Sequence, residues 1–252
     1  MKRTKKDKKA LKELLSVVCA VIICVAVGFL IGFFINNDLS RNNGELEPLP
    51  KPELADGIRG EKFYIDKNIN EATIDNYLDR EDTVYRMMLM LEDTASWENK
   101  GGSRYLTGFI RGFEVVPYPY LSGFSEEYRE IKKTENVDGL YEGETLFKLH
   151  SDGSYTANYE ESMDILEYLF PKDKNIILMC GGGGYAGITK QMLVALGWDE
   201  NKIYNAGAYW SYEGNNDIKT ERKTSDGRTV YDFWKVAYHN IDFSKLTKVK
   251  SE

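Results

Sequence analysis

The chain has 252 residues, 42% of them hydrophobic and 29% charged, with a formal net charge of −7. That is a globular composition, and it excludes a disordered, collagen-like or multispanning protein. Residues 1–13 hold seven Lys/Arg against Asp7 and Glu13, a net of +5, so the remainder carries −12, which excludes nucleic acid as a partner because a phosphate backbone requires a basic face.

Residues 1–13 read as a cytoplasmic basic tail. Leu14 to Ile35 follow as an uncharged apolar run, long enough at about 1.5 Å per residue to cross a hydrocarbon core of roughly 30 Å. The run continues into Asn36-Asn37-Asp38 without a small-residue cleavage site, and Val18 and Ile23 precede Cys19 and Cys24 where a lipoprotein needs a small residue. A transmembrane anchor over 14–35 is therefore predicted rather than a cleaved signal. The basic cluster holds the N-terminus in the cytoplasm and predicts a single-pass cell-membrane protein with its folded part extracytoplasmic. Cys19 and Cys24 fall inside the run, which leaves Cys180 as the one thiol of the soluble part and no disulfide there.

Residues 36–60 lack a periodic apolar pattern and are rich in Asn, Glu and Pro, the composition of a linker. Thr73 to Leu78 predicts a short helix. Val84 to Leu91 predicts a strand covered on both faces, and Phe113 to Val116, stopped by Pro117, a short strand or turn entry. Ser125 to Lys133 is a small polar helix candidate. Thr145 to Leu149 and Ser154 to Ala157 flank Ser151-Asp152-Gly153, a hairpin signal.

Asn158 with Glu161 matches a capping box ahead of the apolar positions Met163, Ile165, Leu166, Leu169 and Phe170, a helix halted by Pro171. Asn175 to Met179 is a buried-type strand. Ile188, Met192, Leu193 and Leu196 form a helical stripe closed by Gly197, and Lys202 to Asn205 is another short strand. This alternation predicts an α/β fold with a central parallel sheet flanked by helices. Ile218 to Lys223 and Arg228 to Val236, about Ser225-Asp226-Gly227, predict a second hairpin within a C-terminal extension over 215–252.

The chemistry concentrates where the strand ending at Met179 delivers Cys180 into four glycines and then directly into a helix. Glycines admit positive φ and close approach, so backbone N–H groups can turn inward, and the following helix adds its positive N-terminal end. A cysteine so placed is expected to form its thiolate, the nucleophilic form, below the ordinary thiol value of about 8.5.

The segment resembles the rhodanese (thiosulfate sulfurtransferase) family, in which a strand ends at a cysteine whose loop curls around the sulfur and opens a helix. Tyr105 to Pro117, with Gly108, Ile110, Gly112 and Pro117, resembles the family's G-H-I-P-G-A-x-x-[IV]-P signature. Phe109, Arg111 and Phe113 stand for its His, Pro and Ala. Leu196-Gly197-Trp198, Ile203-Tyr204 and Asn205-Ala206-Gly207-Ala208-Tyr209-Trp210 resemble its closing elements, in family order.

The resemblance implies a rhodanese-like domain over 61–214 with Cys180 as nucleophile. Gly181, Gly182, Gly183, Gly184, Tyr185 and Ala186 then form the loop that binds the substrate anion and the persulfide. The implied partners are a small sulfur-containing anion as donor and a thiol as acceptor, with no cofactor or metal. Active members commonly carry Arg or Lys where this loop has Gly181 and Tyr185, which predicts that thiosulfate is a poor donor, since each charge-assisted contact is worth about 1.5–3 kcal/mol.

Other motifs are set aside on chemical grounds. Gly182-x-Gly184-x-x-Gly187 fits a dinucleotide fingerprint, but Lys202 to Asn205 runs into Ala206-Gly207 with no acidic residue to hold a ribose. A cysteine phosphatase needs arginine at 186, where Ala186 stands. His150 and His239 are the only histidines, too little material for a His-dominated metal site. The functional classes are thus sulfur transfer through a Cys180 persulfide, a non-catalytic module recognising an anion or protein partner, and a thiol redox sensor.

Overall fold

The computed structural model describes residues 46–89, 108–125, 141, 143–232 and 235–250. The chain divides between Leu49 and Pro50 into two units, and every element named below belongs to the second. Leu14 to Ile35 and nearly all of Ser125 to Lys133 lie outside the described residues. Among the described residues no helix is long and apolar enough to cross a membrane.

In chain order the elements are α1 (Ile58–Phe63), β1 (Thr83–Leu89), β2 (Gly108–Ile110), β3 (Glu114–Pro117), α2 (Tyr118–Leu121), β4 (Phe147–Leu149), β5 (Tyr155–Ala157) and α3 (Ser162–Leu169). They continue as β6 (Asn175–Cys180), α4 (Gly184–Ala195), β7 (Ile203–Ala208), β8 (Asp217–Lys219), β9 (Glu221–Lys223) and β10 (Thr229–Tyr231), with 3-10 turns at Ile74–Tyr77 and Tyr209–Ser211. Residues 50–60, within the stretch whose composition suggests a linker, carry the first half of α1 and a bridge between Leu54 and Asp66.

Four strands form the central parallel sheet in the order β3-β1-β6-β7. β1 and β6 are its interior strands and are apolar on both faces, as parallel strands must be when helices cover the sheet. On one face Met88, Ile176, Leu178 and Cys180 join Leu166 and Leu169 of α3 and Met192 and Leu193 of α4 in one buried cluster. On the other, Tyr85, Met87, Leu89, Ile177 and Met179 are also buried. The chain places β3 on one side of β1 and β6 on the other, so the winding reverses between β1 and β6. Ligands of open α/β sheets bind outside the strand carboxyl ends at such a reversal, and Cys180 is the last residue of β6.

Three local expectations change. Asn158 and Glu161 do not form a capping box: the Asn158 amide donates to the Thr145 carbonyl (2.8 Å), and the Glu161 carboxylate accepts the Thr247 N–H (2.9 Å). The cause is the C-terminal segment, which pairs alongside residues 158–160 through Glu160 N–H to Thr247 O (2.9 Å) and Val249 N–H to Asn158 O (3.0 Å). The second hairpin is also shorter than predicted, running from β9 to β10. Ile218 lies in β8, which pairs with β2 instead. Finally, the strand at Lys202–Asn205 extends to Ala208.

The C-terminal residues complete the sheet. Val115 N–H donates to Ala237 O (2.8 Å) and His239 N–H to Val115 O (2.9 Å), satisfying part of the open edge of β3. Further on, the Phe243 ring packs 5.4 Å from Tyr120 and 5.6 Å from Tyr159.

Arg86, only 7% exposed, ties these parts together. Its Nη1 donates to Glu114 Oε2 (2.7 Å) across the β1–β3 pair, its Nε donates to the Leu169 carbonyl at the end of α3 (2.8 Å), and His239 Nε2 meets the same Glu114 oxygen at 2.8 Å. Burial lowers the guanidinium pKa, with the Glu114 carboxylate acting the other way. Arg86→Leu leaves the Leu169 carbonyl at the α3 terminus without its donor and Glu114 with His239 alone. It is expected to lower unfolding free energy by about 3 kcal/mol in urea titrations, and a loss below about 1 kcal/mol would reduce the network to an ordinary surface ion pair.

Candidate functional site

The chain leaves β6 at Cys180 and is already helical at Gly184. So short a connection works because Gly183 adopts φ 92°, a left-handed conformation that costs glycine nothing. This turn points the Gly183 N–H back at the sulfur, with the nitrogen 3.0 Å from Cys180 Sγ. The N–H groups of Ala186, Tyr185 and Gly182 act on the same sulfur. The first turn of α4 thus points unsatisfied amides at Cys180.

The six predicted loop residues are brought together, but in different parts. Gly183 donates the hydrogen bond to the sulfur, and the N–H groups of Gly182, Tyr185 and Ala186 lie close enough to pull its pKa down. Gly181 instead accepts, its carbonyl taking the Trp210 N–H at 3.1 Å, and Gly184 opens the helix. The Trp210 indole lies so close that a Cβ at Gly181 would stand 2.7 Å from Cζ2. The Tyr185 ring stacks on Tyr118 at 6.0 Å and meets Phe124 tilted by 42° at 5.9 Å, ring centre to ring centre.

Asn205 positions this loop, a role that its place in a short strand motif does not suggest. It is fully buried, and its amide nitrogen donates to Phe63 O (2.6 Å) and Gly183 O (3.0 Å) while its amide oxygen accepts the Gly207 N–H (2.9 Å). One side chain therefore joins the end of α1, the loop and a bulge in β7. The bulge is the register shift between Leu178 and Cys180 against β7, where Gly207 takes φ 83°. The only sequence signal for this was a polar residue ending a predicted strand directly before the small residues Ala206-Gly207-Ala208.

The electrostatics differ from the sequence expectation. Cys180 is 1% exposed, and burial pushes its thiol above the ordinary range while the N–H groups of Ala186, Gly183, Tyr185 and Gly182 pull it down without overtaking. The physical reason is that the loop offers only backbone dipoles. A full positive charge beside the sulfur is what normally overcomes desolvation of a thiolate, and no residue of 181–186 carries one.

The histidines lie elsewhere. His150 contacts Thr156 Oγ1 across the β4–β5 hairpin (2.9 Å), and His239 sits in the Arg86–Glu114 network. Among the described residues no group of His, Cys, Asp and Glu side chains is placed to hold a metal ion. No protein-family model matches the chain, and no curated protein or solved structure matches it.

A raised thiol pKa has a definite kinetic sign: the thiolate fraction, and with it alkylation, must keep rising past pH about 8.5. Peptide mass spectrometry after iodoacetamide treatment of the full chain is expected to show Cys180 reacting more slowly than a free thiol at pH 7. Trp210→Ala, which removes the ring from Gly181, is expected to speed it severalfold. Wild-type Cys180 alkylating as fast as a free thiol would contradict both the burial and the direction of the shift.

Proposed function

We propose that the protein is a membrane-anchored, rhodanese-like sulfurtransferase that carries a persulfide on Cys180 outside the cytoplasmic membrane. The observation that carries this reading is the convergence of backbone N–H groups from Gly182, Gly183, Tyr185 and Ala186 on one cysteine sulfur at the end of β6. A cradle of that kind stabilises negative charge that appears during reaction, because its dipoles are already oriented. The ordered resemblance around Gly108, Cys180 and Gly207 supports the same reading.

In the first step the Cys180 thiolate attacks the outer sulfur of a persulfide donor, R–S–SH. The donor S–S bond breaks, its electron pair leaves on R–S⁻, and Cys180 becomes Cys–S–SH. An acceptor thiolate then attacks the terminal sulfur, giving R′–S–SH and regenerating the Cys180 thiolate. With thiosulfate the departing group is sulfite, whose charge the loop meets with no cationic side chain. Incubation of the full chain with an alkyl hydropersulfide is expected to add one sulfur atom to the Cys180 peptide, with thiosulfate a much weaker donor and Cys180→Ser unreactive. Absence of the adduct with every sulfane donor would sink the enzyme reading.

A second reading, a non-catalytic module for an anion or protein partner, is favoured by one observation, the 1% exposure of Cys180. Mass spectrometry separates the two, since the module gains no sulfur.

The anchored topology rests on the basic residues 1–13 and the uncharged Leu14 to Ile35 run. Protease added to intact cells is expected to remove the folded unit and leave a short membrane-embedded stub. Full protection of the folded unit would reverse the orientation, and secretion of a form lacking residues 1–35 would establish cleavage.

A further inference from the structure

Beside the Cys180 loop lies a cleft of about 440 Å³, lined by Tyr209, Trp210, Tyr212, Glu213, Asp217 and Lys219. The sequence analysis leaves it without a role. It adjoins the loop through Trp210, whose N–H is held by Gly181 O (3.1 Å) and whose ring packs on Gly181 and Gly182. The same residue is 53% exposed, so much of its surface stays free for contact.

The walls combine aromatic rings with carboxylates. The rings of Tyr209 and Tyr212 stack at 6.4 Å and 21°, and their hydroxyls donate to Asp217 Oδ1 and Asp75 Oδ1, each at 2.5 Å. Donation into carboxylates keeps both phenols neutral and leaves the ring faces rich in electrons. Such faces attract ammonium and guanidinium groups. Among the lining charges Asp217 is matched by Lys219. Glu213 is exposed and has no ion-pair partner among the described residues, so the lining residues Glu213, Asp217 and Lys219 together carry one negative charge. Two further cations are already engaged: Arg111 is bound to Asp79 at 2.6 Å, and Lys235 donates to the Lys219 carbonyl at 2.8 Å and pairs with Asp232 at 3.8 Å.

We propose that this cleft is a subsite for the alkylammonium group of a small molecule, and that the thiol compound exchanging sulfur with Cys180 carries such a group. The volume selects a small molecule rather than a macromolecule, as it falls in the range of small-ligand pockets. The second clause rests on the sulfurtransferase reading; the first does not.

Ligand-observed NMR titration of the full chain with butylammonium and with butyrate, at equal ionic strength, tests the subsite by itself. Butylammonium is expected to bind saturably and butyrate not, with Trp210→Ala weakening butylammonium about fivefold and Glu213→Lys abolishing it. Glu213 is exposed and Trp210 half-exposed, and an unchanged circular dichroism spectrum for each variant checks that the fold is kept. Equal binding of the two probes, or unchanged butylammonium affinity in Glu213→Lys, would overturn the proposal.

The second arm compares cysteamine with 3-mercaptopropionate as acceptors from persulfidated Cys180. Cysteamine is expected to be favoured about fivefold in kcat/KM, and Glu213→Lys to erase the preference. Equal rates would overturn the substrate clause. Saturable butylammonium binding without any Cys180 adduct would sink the enzyme reading alone, while an adduct without butylammonium binding would sink the subsite alone.

Discussion

The way the backbone leaves β6 governs the rest of the site. β6 is paired on both edges and buried on both faces, so its last residue cannot shift without disturbing β1, β7 and the helices. The turn from strand to helix must fit within Gly181 to Gly183, and it does so through the positive φ at Gly183. Asn205 then fixes the Gly183 carbonyl, which fixes the direction of the peptide planes around it. A hydrogen-bonding side chain buried this fully is costly to leave unpaired. That cost makes the Asn205 contacts an effective lock on the loop.

The lock has an electrostatic consequence. The end of a helix contributes roughly half an elementary charge, and the loop amides add oriented dipoles, but all are fixed partial charges. Withdrawing a thiolate from water costs more than they return here, so the resting thiol holds its proton. Sulfur chemistry at Cys180 therefore depends on what enters with the donor. The uncharged loop offers a dianion no cationic side chain, whereas the neighbouring cleft has aromatic walls and a Glu213 carboxylate without an ion-pair partner among the described residues, the features on which the proposed ammonium subsite rests. Specificity on this view comes from outside the loop.

The C-terminal segment is part of the folded unit rather than an appendage. It pairs with β3 through Val115, caps the turn before α3 through Glu161, and brings His239 to the carboxylate that binds Arg86. Arg86 in turn holds the last carbonyl of α3. The sheet edge, a covering helix and the end of the chain therefore share one partly buried charge network centred on Arg86, which couples their stability.

The strands β1, β3, β6 and β7 of the parallel sheet, the helices α3 and α4, the β4–β5 hairpin and the Cys180 loop were legible in the sequence, whereas α1, α2 and the β2–β8 pair were not. Each legible element follows from local patterns: apolar runs of strand length, helical stripes, Gly and Pro punctuation, and a cysteine between a strand and glycines. Contacts between distant segments were not legible. Glu161 caps nothing at its own helix because Thr247, 86 positions away, claims its carboxylate. Ile218 leaves the expected hairpin because β2 offers it a partner. Asn205 gains its role only when α1, the loop and β7 meet. The thiol pKa moved against expectation for the same reason: glycines and a helix start are encoded locally, but desolvation is set by the burial of Cys180 in the packed core. Local sequence determines which backbone conformations are available, and only tertiary packing decides which polar groups lose their water and which partners replace it.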